Sequence, residues 1–449
     1  MALTMQNKYN WGFLIGISLI SAMGGYLFGF DFAVITGGLP FLRDQFGLDA
    51  VGEGFTTGSL ALGCMLGSIA AGSISDKYGR KPGLMLAAAI FALSSLSMSL
   101  APNLNFFIVS RFFAGIGVGM ASMLSPMYIA EVSPPEVRGR LVAINQLTIV
   151  LGQVITHFEN FQLRNIGPEA WRWMFGLGII PSVLFFIGVF FLPESPRWLL
   201  RAGREADTRK VLGRIGSHGF VSDTVEAIRK TIHGEVKTNF RHVFEKAVLP
   251  AVIIGIGLAV FQQFCGINVV FNYTTNIFKS IGASTSEQLL QAVYISLANL
   301  VFTLIAMSLV DKWGRRPLML LGAGGLAILY VIIGFILFRG TGTGLSVFIL
   351  MAIGIYAMSL APLTWVLISE IFPNSVRGVA TSVAVMSLWL AYFILVFTFP
   401  IIENNFGDAA AFWGYAVICV LGFVFIYFKV KETKGKSLEQ IENEFTARH

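Results

Sequence analysis

Trp11–Leu39, WGFLIGISLISAMGGYLFGFDFAVITGGL, is apolar, aromatic or small throughout except for one acid, Asp31. About 20 such residues cross the ~30 Å hydrocarbon core of a bilayer as an α-helix, so this run reads as a membrane span with a carboxylate near mid-depth. An isolated charge at that depth costs ~2.5–3.5 kcal/mol on insertion scales. Asp31 therefore needs either a buried cation or a task that requires an ionisable group inside the membrane. The run is longer than the apolar core of a secretory signal and lacks a convincing cleavage site, so it reads as a retained first helix.

The same texture continues along the chain. Of its 449 residues 55% are hydrophobic and 13% charged, with a mean hydropathy of +0.72. Soluble domains carry about 25% charged residues, so the composition identifies an integral membrane protein. Apolar windows recur at 11–37, 55–74, 83–101, 105–130, 142–163 and 173–193, then at 247–276, 289–310, 317–338, 345–369, 379–401 and 411–429. The 48 glycines suit such an assembly, because glycine lets membrane helices approach closely. One long polar stretch, 197–246, divides the windows and reads as a linker of short amphipathic helices. The expected layout is a six-helix bundle over 1–196, the linker, a second bundle over 247–430 and a tail over 431–449.

The formal net charge of +7 is concentrated in alternate gaps. These are DKYGRKP (Asp76–Pro82), PPEVRGR (Pro134–Arg140), the linker, DKWGRRP (Asp311–Pro317) and the tail with Lys429, Lys431, Lys434 and Lys436. The intervening gaps hold few Lys or Arg. The positive-inside rule then places both termini and the linker in the cytoplasm. The basic balance serves topology rather than nucleic acid. Cys64, Cys265 and Cys419 lie singly in apolar runs and read as packing residues, so no metal, disulfide framework or cofactor is expected.

The chain also repeats itself. DKYGRK at Asp76 recurs as DKWGRR at Asp311, AEVSPPEVRG with Glu131 recurs as SEIFPNSVRG with Glu370, and PESPRW with Glu194 is echoed by KETKGK with Glu432, at offsets of 235, 239 and 238 residues. Order and spacing are both kept, which identifies two homologous halves. The fold class is an all-α membrane protein with twelve transmembrane helices in two pseudo-symmetric six-helix bundles, an architecture common among secondary transporters. Each repeated motif sets acids and bases where helices emerge. Glu131 and Arg138 flank a Pro-Pro break and are expected to bridge to Asp76 or Arg80, and Asp311, Arg315, Glu370 and Arg377 form the matching set. These charges either fix topology or form an ionic latch that breaks during a conformational change. An exposed pair contributes only ~0–1 kcal/mol, so a latch has to be a network.

Laid side by side, these motifs resemble the sugar porter family of the major facilitator superfamily, in particular its bacterial proton-coupled pentose and hexose symporters. The resemblance is carried by GYLFGFD (Gly25–Asp31), RFFAGIGVG (Arg111–Gly119), PMYIAEVSPPEVRG (Pro126–Gly139), NQLTIVLGQ (Asn145–Gln153) and PESPRW (Pro193–Trp198). It continues through QQFCGINVVFNY (Gln262–Tyr273), DKWGRRP, SEIFPNSVRG (Ser369–Gly378) and ETKGKSLEQIE (Glu432–Glu442), in family order over nearly the whole chain. It implies alternating access around a central monosaccharide site, in a monomer.

A sugar needs neutral hydrogen-bonding partners and a flat apolar surface. Amides both donate and accept, and Trp supplies the surface with a spare N–H. Polar side chains inside membrane helices are site candidates by default. Gln146 and Gln153 share one helical face, Gln262, Gln263 and Asn268 cluster where Gly266 permits a break, and Asn299 lies alone in its apolar run. The resemblance assigns sugar contact to Gln146, Gln262, Gln263, Asn268 and Trp365, the last following an Ala361-Pro362 break, with Phe28, Asn299 and Trp389 as further contacts. Gln153 reads more simply as an interhelix bond, whereas adjacent Gln262 and Gln263 point to different faces. Asn272, Leu388, Tyr392 and Ala361 depart from the family pattern, where Tyr, Gln, Asn and Gly are usual, so the identity of the sugar stays open. His157 and Glu159 are also unusual for the family and read as residues of a solvated vestibule.

The resemblance further matches Arg111 to Asp31 as its buried partner and makes the acid a proton site. Burial opposes ionisation of such an acid and a neighbouring guanidinium favours it. A proton that binds two conformations unequally shifts their balance. The rival accounts are a static ion pair in a facilitative uniporter and, more remotely, a non-transporting sugar sensor. Sodium coupling has no recognisable cation cage. An ATP-driven pump is unsupported, because Gly435-Lys436-Ser437 has Val430 where a phosphate-binding loop needs Gly. No nucleophile–His–acid set suggests an enzyme.

Overall fold

The computed structural model describes residues 9–234, 242, 244–246, 248–373, 376–436 and 440, with the side chains of 231–234, 309–312 and 369 left aside. Twelve helices among these residues are long and apolar enough to cross a membrane. In the first half they are α1 (Trp11–Phe46), α2 (Ala50–Tyr78), α3 (Arg80–Ser99), α4 (Leu104–Val132), α5 (Arg138–Leu163) and α6 (Ala170–Phe191). In the second they are α7 (Leu249–Asn272), α8 (Thr285–Trp313), α9 (Arg315–Arg339), α10 (Leu345–Ile368), α11 (Arg377–Phe406) and α12 (Asp408–Lys429). Packing repeats with the sequence: α1 lies on α5, α2 on α4 and α3 on α6, and likewise α7 on α11, α8 on α10 and α9 on α12. The halves meet along α2–α11 and α5–α8.

Glycine sets the closest of these contacts. A Cβ on Gly29 of α1 would lie 1.9 Å from the Ile149 carbonyl oxygen of α5, and one on Gly63 of α2 would lie 2.0 Å from that of Phe112 on α4. The backbones touch there, and dispersion between them replaces the hydrophobic drive that lipid cannot supply. Helix lengths depart from the apolar windows. α1 continues past Leu39 and through Pro40, to end at Gly47 in the left-handed region.

Two helices break as their sequences suggest. α7 stops at Phe264 and resumes at Ile267, with Gly266 at φ +86° between. α10 breaks at Ser359, ahead of Ala361-Pro362 rather than after it. Proline lacks an N–H and its ring crowds the carbonyl four residues back, so the ladder opens on its N-terminal side. The linker carries helices Pro196–Arg201, Glu205–Ile215 and His218–Gly234. They bury Val211, Leu212, Ile215, Val221 and Val225 and expose Glu205, Arg209 and Arg229, as amphipathic helices do.

The repeated motifs build one device twice. Gly79 (φ +105°) and Gly314 (φ +90°) turn the chain into α3 and α9. The Glu194 carboxylate accepts the N–H of Arg80 (2.9 Å) and Lys81 (3.1 Å), and Glu432 accepts those of Arg315 and Arg316, both at 3.0 Å. A carboxylate at a helix N-terminus satisfies orphan donors and meets the positive end of the dipole. Lys81 Nζ then donates to the Phe190 carbonyl at 2.6 Å, as Arg316 does to that of Tyr427 at 2.7 Å. Burial pushes the Glu194 carboxyl above its usual range, against the pull of these N–H groups and Arg80. Glu432 also feels burial, but the N–H groups of Arg315, Lys434, Arg316 and Thr433 outweigh it and hold its carboxyl low.

Candidate functional site

Asp31 comes from the middle of α1 and Arg111 from α4, and Arg111 Nη1 donates to Asp31 Oδ1 at 3.0 Å with both side chains at most 1% exposed. The bond is single. Asp31 Oδ2 and Arg111 Nε are buried without a partner. A buried ion pair offsets its own desolvation only when its remaining lone pairs and protons are satisfied, and here neither group is. The arrangement leaves a carboxylate oxygen open to a proton and a guanidinium held by one hydrogen bond and the face of the Phe175 ring, 5.8 Å away.

The break in α7 gathers a line of amides. Gln262 donates to the Tyr356 hydroxyl at 2.7 Å, Gln263 donates to Gln262 Oε1 at 2.6 Å, and Asn268 donates to Gln263 Oε1 at 2.5 Å. The two glutamines thus bond each other instead of serving separate faces, because the helix stops just beyond them and their amides fold over its end. Asn272 continues the line by donating to the Asn268 carbonyl at 2.7 Å, and Tyr392 of α11 donates to Asn272 Oδ1 at 3.1 Å. Asn299 donates to Gln153 Oε1 at 2.9 Å, joining α8 to α5. Phe28 meets Trp389 edge to face at 6.0 Å, and the buried Trp389 Nε1 has no acceptor. Gln146 on α5 and Trp365 on the second piece of α10 are exposed, the latter 45%, and stand outside this line of bonds.

Near the two ends of the described residues, Tyr9 bonds Glu136 and Thr433 bonds Glu370 on one face of the bundle, the terminal face, and the opposite face is closed by polar ties between the halves. Arg43 of α1 grips Glu53 of α2 through Nε (2.9 Å) and Nη2 (2.8 Å), and Nη2 also reaches Asn276 Oδ1 at 2.7 Å. Asn276 donates to Glu53 at 2.6 Å and to Glu403 of α11 at 3.1 Å. Thr36 donates to the Phe271 carbonyl and Tyr273 to that of Val396, each at 2.7 Å. Arg43→Gln removes the bidentate grip and leaves Glu53 buried without its cation. The expected result is a fall in the fraction of protein closed on this face, read as faster thiol labelling of a single cysteine placed there. Labelling at the parent rate would contradict it.

On the terminal face the charges close within each half. Arg80 donates to both Glu131 oxygens at 2.9 Å and to Asp76 at 3.4 Å, and Arg315 pairs with Glu370 at 3.5 Å. Ser195 and Thr433 add their hydroxyls to Glu131 and Glu370 at 2.5 and 2.6 Å. Two residues expected in these clusters lie elsewhere. Arg138 is exposed at the start of α5. Arg377 donates to the Phe372 carbonyl at 3.1 and 3.2 Å, since the helix Leu360–Ile371 ends there with carbonyls in need of donors. The Asp311 side chain is outside the described residues.

His157 overturns the vestibule expectation: it is 3% exposed, with both ring nitrogens unbonded. Glu159 borders a 490 Å³ cleft with Tyr26, Phe30 and Thr148 that shares no residue with the amide line. Sequence reasoning missed Tyr356, Arg43, Glu53, Asn276 and Glu403. The one signal that could have found them is the cost of polar groups near or inside apolar runs, and nothing in the linear order joins them.

Two matched bundles around a buried ion pair and a line of amides define a membrane transporter of the major facilitator fold. The chain belongs to the sugar (and other) transporter family, whose model matches residues 17–445. It is 36% identical to the D-xylose-proton symporter of Escherichia coli (strain K12), over 98% of this chain and 97% of that one. It is also 36% identical to the arabinose-proton symporter of Bacillus subtilis (strain 168), over 98% of this chain and 96% of that one. The inward open conformation of the xylose transporter XylE from E. coli is similar in structure, with a TM-score of 0.85 at 34% identity, over 96% of this chain and 100% of that one.

Proposed function

We propose that this protein imports a monosaccharide, a hexose or a pentose, by proton symport through alternating access, as a monomer in a bacterial inner membrane. The observation that carries the reading is the buried Asp31–Arg111 contact with one oxygen and one nitrogen left unbonded. A proton on Asp31 neutralises the acid, releases Arg111 and lets α1 and α4 repack. The amides Gln262, Gln263 and Asn268 supply neutral donors and acceptors for sugar hydroxyls, with Gln146 and Asn299 reaching from flanking helices and Trp365, Trp389 and Phe28 giving apolar surface. The relatives named as proton symporters support coupling.

With the terminal face taken as cytoplasmic, the ties around Arg43 close the outside and the protein is inward-facing. The clusters of Asp76, Arg80 and Glu131 and of Arg315 and Glu370 then form the latch that exchanges partners across the halves when the outside opens. The rival reading is a uniporter in which the ion pair is static. Proteoliposome uptake of a panel of hexoses and pentoses, with and without an imposed pH gradient, separates them. Symport predicts accumulation of at least one sugar above equilibrium when the outside is acid. Uptake that only equilibrates under both conditions leaves the uniporter.

A further inference from the structure

Tyr392 stands between the two parts of the site. Its hydroxyl donates to Asn272 Oδ1 at 3.1 Å, and Asn272 in turn binds the Asn268 carbonyl, so the bond holds the short second segment of α7, Ile267–Asn272. Its ring packs 5.1 Å from that of Phe32, the residue after Asp31, and 6.0 Å from that of Trp389. The residue is 1% exposed, so no water substitutes for its partners. Asn272 and Tyr392 are also two of the positions where this chain departs from the sugar porter pattern, and they bond each other.

The other titratable groups around the acid are few. Arg111 reaches it from α4, and the Cys64 thiol of α2 lies within its field. α5, which packs along α1, brings the buried His157, whose ring nitrogens bond nothing, and Glu159, which borders the cleft. Of these groups Tyr392 alone is also bonded to α7.

We infer that the Tyr392–Asn272 bond couples the buried ion pair to the amide line, making Tyr392 a positioning residue through which the state of Asp31 sets the orientation of the second α7 segment. When Arg111 is released, α1 shifts against α11 at the Phe32–Tyr392 contact. The hydroxyl carries that shift to Asn272, and Asn272 carries it to Asn268. Without the hydroxyl the two events proceed separately. The inference rests on the proton-symport reading above.

The test uses the full chain in proteoliposomes, with the sugar that the uptake panel identifies. Tyr392→Phe removes the hydroxyl and keeps the ring against Phe32 and Trp389. The expected result is that sugar exchange persists, that the factor by which protonation changes the apparent KM for sugar shrinks by about fivefold, the worth of one neutral hydrogen bond, and that proton uptake per sugar falls with it. Asn272→Leu, which removes the acceptor, should show the same fall in proton uptake and in pH dependence, whatever it does to the KM for sugar. Two outcomes overturn the inference: parent-like proton uptake and pH profile in both variants, or loss of exchange in step with coupling, which marks plain damage to the site. Asp31→Asn is measured beside them. If it still takes up protons with sugar, Asp31 is not the proton site and the inference falls with that assignment; if it is uncoupled while Tyr392→Phe is not, only the inference falls.

Discussion

Asp31→Asn protein in vesicles is expected to exchange labelled sugar across the membrane but to build no gradient of it, whatever pH difference is imposed. Asn occupies nearly the same volume as Asp and still offers Arg111 an acceptor at the position of Oδ1, 3.0 Å from Nη1 in the parent, so the helix packing around it survives. What it lacks is a charge that a proton can cancel. Under the proposed symport, ionised Asp31 holds Arg111 and protonated Asp31 releases it, so the two conformations bind a proton with unequal affinity and the pH gradient biases the cycle. One pH unit is worth about 1.36 kcal/mol, a tenfold sugar gradient at one proton per sugar. The Asn variant should reach a ratio near one under the same gradient. Undiminished accumulation would show that the proton travels by another route and that the Asp31–Arg111 contact is scaffolding.

Much of this architecture was legible in the linear order, and the reason is physical. A bilayer demands some twenty apolar residues per crossing, so each span is written locally, and the repeat of DKYGRK as DKWGRR reports the pseudo-symmetry without any coordinates. Asp31 was conspicuous because an acid in such a run is costly. Gly266 marked the break in α7 because only glycine adopts φ +86° without strain. Helix ends were less visible: α1 outruns its apolar window because residues beyond the hydrocarbon need not be apolar to stay helical. The tie of Arg43, Glu53, Asn276 and Glu403 assembles side chains from both halves, and no local pattern brings them together. Glu194 and Glu432 were visible as repeated letters, but their capping of α3 and α9 depends on how distant segments fold back. His157 was misread because its place near the end of α5 hides how deeply the neighbouring helices cover it.

Gln263→Leu tests whether the amide line is a sugar site or merely interhelix packing. Gln263 is its central link, donating to Gln262 Oε1 and accepting from Asn268 Nδ2. Leu fills a similar volume but makes neither bond, and Gln262 and Asn268 are only 5% and 9% exposed. Each buried polar group left unpaired costs ~1–3 kcal/mol. A sugar whose hydroxyls were to be held by these amides then meets two misoriented groups and one missing one. The expected effect is a rise in KM of about 100-fold, the fold-change that some 2.7 kcal/mol of lost binding produces. Coupling should survive, because Asp31 and Arg111 are untouched: at saturating sugar the variant still responds to the pH gradient. That separation of affinity from coupling is the mirror image of the Asp31→Asn result, and together they divide the site into two parts with different tasks. A KM within about threefold of the parent, below the ~1 kcal/mol of a single hydrogen bond, would mean that Gln262, Gln263 and Asn268 only hold the broken ends of α7 together and that sugar is bound elsewhere.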